Sequence, residues 1–312
     1  MSLLREKIAT ECYNDHYQGV DQWPLRRMID SLLDDQTRSL QAIRAAVPML
    51  ADAAEEAARR LESTNKGRII YAGAGTSIRI GVQDGTELTP TFGWPSHRVA
   101  HVIAGGDGAL CRAIENAEDN TTDALTRVKE LNIGVADVCI AAAASGITPF
   151  TVAACRAARE AGALTIGIAS NPQSALLTVA EFPVFINTGA EPVSGSTRMN
   201  AGTAQKAAIN MLSTAIMTRL GRVHDGLMVN LIPTNEKLRR RAVTIVTTIA
   251  DCPEAVAART LVEAQKIYGG LTENNIKLAI LLAKGLSADA ARTLLTTHRG
   301  HLRPILAMAP YI

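Results

Sequence analysis

The sequence predicts an α/β protein: a largely parallel sheet wrapped by crossover helices, with helices before it and a small helical domain after it. Two observations carry this. Apolar residues repeat at helical spacing up to about Ser63, gather into five short runs alternating with helical stretches, then return to helical spacing beyond Pro233. Aromatics are only 4% of the 312 residues, while alanine and the aliphatics dominate the 47% hydrophobic share, a balance suited to helix-on-sheet packing.

The elements follow in order. From Leu25 to about Ser63, "DDQTRSLQAIRAAVPMLADAAEEAARRLES" places apolar residues three and four apart, with Pro48 as the break between two helices. The five strand candidates are "RIIYAGA" (68–74), "RVAHVIAG" (98–105), "DVCIAAAAS" (137–145), "LTIGIAS" (164–170) and "FPVFINT" (182–188), each bounded by Gly, Ser, Asn or Pro. One crossover helix is plain in "TPFTVAACRAAREAGA", where Phe150, Ala153, Ala154, Ala157 and Ala161 share a face and Arg156, Arg159 and Glu160 turn outward. A nearly all-apolar helix from about Thr197 to Leu220 is expected to be buried on several sides, in the core or between subunits. Past Pro233 come four amphipathic stretches, three opened by a capping residue or proline. The pattern divides the chain into 1–64 (helical), 65–232 (α/β) and 233–312 (helical).

Composition removes several classes of function. A net charge of +2 with 20% charged residues gives no nucleic-acid footprint. No apolar run approaches the roughly 18 residues a membrane span needs. The start, "MSLLREKIATEC", carries charges where a signal peptide is apolar. Five scattered cysteines (Cys12, Cys111, Cys139, Cys155, Cys252) suggest neither disulfides nor zinc. His97 and His101 fall on or beside a predicted strand and so share no helix face, and His298 with His301 could share one but lack a carboxylate or cysteine to complete a metal site. The expectation is a cytoplasmic protein without metal, nucleic acid or membrane partners.

Three loops carry hydroxyls to helix starts. In "YAGAGTSIRIGVQDGTELTPTFGWP" (71–95), Gly73 and Gly75 begin a dinucleotide fingerprint, but Ile78 stands where the third glycine belongs. Thr76 and Ser77 instead open a short helix whose N-terminus would attract a phosphate. The arrangement recurs at Ser145, Gly146 and Thr148 in "AAAASGITPF", and at Ser194, Ser196 and Thr197 in "VSGSTRMNAGTAQK". Any one could be a simple cap. Parallel strands end along one edge, so loops that follow them can share one phosphate. Carboxylates are the other candidates. Glu87 lies in "QDGTELTPTFG" at the end of that short helix, while Glu115, Glu118 and Asp119 in "IENAEDN" close a helix beginning near Ala109, opposed by its dipole. Such an acidic run is either a solvated surface or part of a proton-transfer pair. "KLRRR" (237–241) reads as a solvated helix face or a phosphate contact.

These segments, with "IAGGDGALCRAIENAEDN", "LTIGIASNPQS" and "GSTRMNAGTAQKAAINMLSTAIMTRLGRVHDGLMVNLIPTNEKLRRRAV", resemble in order the N-acetylmuramic acid 6-phosphate etherases, relatives of the glucokinase regulatory protein. The resemblance covers roughly Leu25 to Val243. It implies the sugar isomerase (SIS) fold, a homodimer, and cleavage of the D-lactyl ether of a sugar phosphate with no cofactor. It also places the family's two glutamates at Glu87, as proton donor, and Glu118, as the base that later activates water. A non-catalytic sugar-phosphate sensor and an aldose–ketose isomerase are the alternatives on the same fold. The sequence departs from the family pattern at Ile78 (usually Gly), Ile147 (usually Arg) and Asn200 (usually Lys), two of which remove a positive charge near the expected anion site; Arg79, Arg198 and Lys206 remain.

Overall fold

The computed structural model describes residues 8–308; the first seven residues of the charged start lie outside them. Helices α1 (Leu25–Ala42) and α2 (Val47–Ser63) come first, separated by a 3-10 turn at Ile43–Ala46, with Pro48 in the first turn of α2. Then follow β1 (Ile69–Gly73), α3 (Gly75–Phe92), β2 (Val99–Ile103), α4 (Thr121–Glu130), β3 (Val138–Ala142), α5 (Pro149–Glu160), β4 (Leu164–Ala169), α6 (Ala175–Val179), β5 (Phe182–Phe185) and α7 (Asn200–Arg219). The chain continues through α8 (Glu236–Ala250), α9 (Glu254–Tyr268), α10 (Asn275–Ala283), α11 (Ala288–Thr297) and α12 (Leu302–Met308). All five strands pair in parallel, in the order β2-β1-β3-β4-β5. Every residue of β1, β3 and β4 is buried, which is why these strands read as unbroken apolar runs. This is the architecture that the resemblance implies.

Contacts resolve two compact units, Met1–Gly85 with His97–Ser213, and Thr86–Ser96 with Thr214–Ile312. They draw the boundary inside α3 and α7, where the sequence pattern sees no break. In the α/β unit, Ile70, Ala72, Cys139 and Ala141 of the sheet pack on Phe150, Ala154, Cys155 and Ala158 of α5 and Ala124 and Val128 of α4. The small side chains let the helices approach closely. The buried face of α5 is thus centred on 150, 151, 154, 155 and 158, and Ala161 is exposed. In the helical unit, α10 is buried along nearly all its length and packs with α8, α9 and α11, so it is a core helix rather than an amphipathic one. Asn235 and Ser287 cap α8 and α11, and Pro253 opens α9, as their sequence signals require. α12 is an additional helix at the end.

Two local expectations are corrected. α3 is a long helix of 18 residues that continues through Gly81, Gly85 and Pro90. A β-carbon on Gly81 would lie 3.0 Å from the Tyr71 β-carbon, and one on Gly85 would lie 2.9 Å from the Tyr71 ring, so these glycines let β1 press against the helix backbone. The "IENAEDN" segment is not the end of a helix. A 3-10 turn at Asp107–Leu110 precedes it and another at Ala117–Asp119 lies within it, Asn116 sits at φ 58, and Glu118 and Asp119 precede α4.

A buried polar network ties α3 to the sheet and to α7. Asp84 accepts from the Tyr71 hydroxyl at 2.5 Å, Asn210 at 2.5 Å and Ser213 at 2.9 Å. Burial pushes the Asp84 carboxyl up, and the hydrogen bonds from these three side chains partly counter it. Among the described residues, no helix is long and apolar enough to cross a membrane.

Candidate active site at the carboxyl edge of the sheet

The strand order reverses between β1 and β3, the first strand having β2 on one side and β3 on the other. In open parallel sheets such a switch point opens a crevice beyond the strand ends, where ligands bind. Here the loop after β1 holds Thr76 and Ser77, and the loop after β3 holds Ser145, Gly146 and Thr148. A β-carbon on Gly73 would stand 2.9 Å from the Ala142 carbonyl oxygen and 3.4 Å from the Ile78 β-carbon. The glycine at the strand end therefore supplies the close helix–strand approach, and Ile78 fills the space at 1% exposure. Ser77 is buried and its hydroxyl donates to the Gln205 side chain at 2.8 Å, while Thr76 is half-buried with its methyl near Gly202.

The loop after β3 is more open. Gly146 at φ +70 has no room for a side chain, because a β-carbon there would lie 2.5 Å from that of Ser174. Thr148 stands at the N-cap of α5, makes no capping bond, and is followed by Pro149. The first-turn N–H groups of α5 thus lack an internal acceptor, and two buried hydroxyls beside them, Thr151 and Ser174, have no partner. The Ser145 hydroxyl accepts from the Ile147 backbone N–H at 3.3 Å. Asn171, just past β4, steadies the loop by donating to the Ser145 carbonyl at 3.2 Å. The same side chain holds the N-terminal segment, accepting from Ala9 N–H at 2.7 Å and donating to the Thr10 hydroxyl at 3.1 Å.

The third hydroxyl-rich start is different. Ser196 and Thr197 lie in turns before α7, and the helix begins at Asn200. Its N–H groups are already engaged: Glu191, fully buried, accepts from Asn200 N–H and Ala201 N–H at 2.9 Å each. Burial pushes the Glu191 carboxyl up, and bonds from Ala201, Asn200 and Met199 N–H partly offset this. Sequence reasoning missed Glu191, because nine residues separate it from the helix it caps.

Glu118 reaches the crevice. Its Oε1 lies 3.2 Å from the point where a β-carbon on Gly75 would stand, at the very start of α3, and the residue is solvent-exposed. The helix N-terminus favours a carboxylate there. Glu87 is also exposed, on α3, and groups with the helical unit. Among the described residues, no three His, Cys, Asp or Glu side chains gather as a metal site requires.

The chain is similar to known proteins. The N-acetylmuramic acid 6-phosphate etherase of Deinococcus radiodurans is 45% identical over 97% of this chain and 96% of its own length. The chain belongs to the N-acetylmuramic acid 6-phosphate etherase family. The etherase of Edwardsiella ictaluri is 38% identical over 98% of this chain and 99% of its own. The family model for the glucokinase regulatory protein N-terminal SIS domain matches residues 50–159. Among solved structures, a phosphoheptose isomerase from Francisella tularensis is similar at a TM-score of 0.45 and 18% identity, covering 63% of this chain and all of that one. The sheet and helices within the matched residues are of the SIS type that the family model describes.

As a member of the etherase family, the chain shows where its departures sit. Ile147 is 47% exposed on the open loop. Asn200 is buried, donates to the Ala190 carbonyl at 3.1 Å and accepts from Gln36 at 2.9 Å, so it braces the α7 start. Of the three basic residues that remain, Arg79 donates to the Ala109 and Leu110 carbonyls at 2.8 and 3.0 Å, and Lys206 donates to Asn210. Arg198 is exposed in the turn before α7.

Proposed function

We propose that the chain cleaves the D-lactyl ether of N-acetylmuramic acid 6-phosphate, giving N-acetylglucosamine 6-phosphate and D-lactate, as a cytoplasmic step in cell-wall amino sugar recycling. Family membership over nearly the whole chain carries this reading. The phosphate is held by the loops after β1 and β3, through Thr76, Ser77, Ser145, Gly146 and Thr148 and the uncapped start of α5, with Ser196 and Thr197 beside them. In the ring-opened sugar the C1 aldehyde acidifies the hydrogen on C2, and Glu118 removes it as a base. Glu87 protonates the lactyl oxygen as its bond to C3 breaks, and D-lactate leaves. Glu118 passes the C2 proton to solvent, deprotonates the water that adds to C3 of the unsaturated aldehyde and returns that proton to C2, while Glu87 is reprotonated from solvent. One water is consumed overall and no redox change occurs, so the reaction balances without a cofactor.

The subunit arrangement belongs to the same reading. Leu25, Ile29, Leu33 and Leu40 form one face of α1 and are between 47% and 72% exposed. A second copy covering this stripe makes the homodimer, and Leu33→Glu would leave a monomer in sedimentation analysis; an unchanged dimer would place the interface elsewhere.

The deciding experiment follows D-lactate release from N-acetylmuramic acid 6-phosphate by the wild type, Glu87→Gln and Glu118→Gln. Each variant is expected to lose roughly 10²- to 10⁴-fold in kcat. No release by the wild type would sink the function, and full release by either variant would sink that residue's role.

A further inference from the structure

The helical unit contains a pocket that no step above uses. It has a volume of about 280 Å³, and its lining includes Lys277, Arg222, Arg299, Glu273, Asn230 and Tyr268. All six residues belong to this one unit.

Lys277 poses the problem that the pocket answers. It lies on α10 between Ile276 and Leu278, both fully buried, and is itself only 2% exposed. Its ammonium makes no hydrogen bond or ion pair with any described residue. The turn between α11 and α12 lies against it: Gly300 is at φ +77, and a β-carbon there would stand 3.1 Å from Lys277 Nζ. A buried cation without a partner is costly, and proteins ordinarily supply a counter-charge. Burial pushes Lys277 down to about 7; the Arg222 charge adds to this and the Glu273 carboxylate partly opposes it.

A second buried group in the same pocket is also unsatisfied. Asn230 is 3% exposed, and its side-chain oxygen has no hydrogen-bond partner. Arg222 is held in place by the Trp94 ring, 5.0 Å from its guanidinium carbon, and by donation to the Phe92 carbonyl at 2.9 Å. Lys277 and Arg222 line, with the Glu273 carboxylate, a small, mostly polar cavity, which disfavours apolar ligands and favours a compact anion.

We propose that this pocket binds a small oxyanion, a phosphate monoester or a carboxylate, which supplies the counter-charge for Lys277 and is gripped by Arg222. The proposal does not depend on the reaction proposed above. Its chemistry admits either a sugar phosphate or a hydroxy acid, and the test separates them.

Full-length protein is titrated calorimetrically with N-acetylglucosamine 6-phosphate, with D-lactate and with sulfate, alongside Lys277→Met and Lys277→Arg. The wild type is expected to show a binding component for sulfate and for one of the two organic anions that weakens at least about tenfold in Lys277→Met and survives in Lys277→Arg. Identical isotherms for wild type and Lys277→Met would overturn the proposal. Because Lys277→Met also alters the core, the wild type is followed by hydrogen exchange as well. Amides of 272–278 and 296–301 are expected to gain protection in saturating anion, and no change there would likewise overturn it.

Discussion

The starts of α5 and α7 look alike in sequence and differ in structure. Each follows a glycine and hydroxyl residues, Ser145-Gly146-Ile147-Thr148 in one case and Ser194-Gly195-Ser196-Thr197 in the other. α5 keeps its first-turn N–H groups uncapped, with two unpartnered hydroxyls beside them. α7 has its positive end occupied by the buried carboxylate of Glu191. The open end can accept a phosphate from outside, and the closed end is rigid support for what lies near it. A hydroxyl-rich helix start is thus a statement about helix capping, and the distribution of the protein's own carboxylates decides which start is left for a ligand.

The sharpest way to break the contrast is to give α5 its own carboxylate. Thr148→Asp would cap the helix, stabilising it by about 1 kcal/mol, while raising the KM for substrate about 100-fold. Steady-state lactate release and thermal melting read the two effects, and an unchanged KM would mean that phosphate sits elsewhere. The reverse change opens α7. Glu191→Ala strands two buried N–H groups and should cost roughly 2 kcal/mol of stability, with kcat/KM down about tenfold as the 191–200 turns loosen. Ile147→Arg, which supplies the arginine that the resemblance leads one to expect there, adds a cation to the open loop and should lower KM about threefold; a higher KM would show that the loop cannot seat that side chain productively.

The smallest effect concerns pH. Glu191 has its folded pKa raised, so the folded state holds its proton more readily than the unfolded one. The stability this contributes is present in full below the ordinary glutamate value and declines as pH rises through the folded value. In Glu191→Gln that decline is absent, so the melting temperature should shift in the variant's favour by a degree or two between about pH 4 and about pH 7.

Much of this architecture could be read directly. The five strands were legible because burial on both faces leaves unbroken apolar runs, and the caps of α8 and α11 because Asn235 and Ser287 act on N–H groups three residues away. α3 was legible only in part. Gly81, Gly85 and Pro90 punctuate it, and the reason the glycines belong there, the Tyr71 ring against the helix backbone, lies ten or more residues away. The 107–119 segment has a helix-like composition, but Gly105, Gly106 and Asn116 all adopt positive φ and turn the chain instead. At the site, the hydroxyl loops and Glu118 were visible as residue types. Glu191, Asn171 and the paired commitments of Ser77 and Arg79 were not, since each depends on a partner distant in the chain.

Asn171 also sets an order of events in synthesis. It binds Ala9 and Thr10, about 160 residues before it, while Gly195 N–H donates to the Thr10 carbonyl at 3.2 Å. Translation proceeds at roughly 5–20 residues per second, so the Ala9–Thr10 segment leaves the ribosome several seconds before its two anchors. It must fasten after the sheet has begun to form, and it closes the longest loops in the α/β unit. A purification tag fused ahead of residue 8 would hang from that strap, beside the Ser145 loop, whereas one at the far terminus would leave it free.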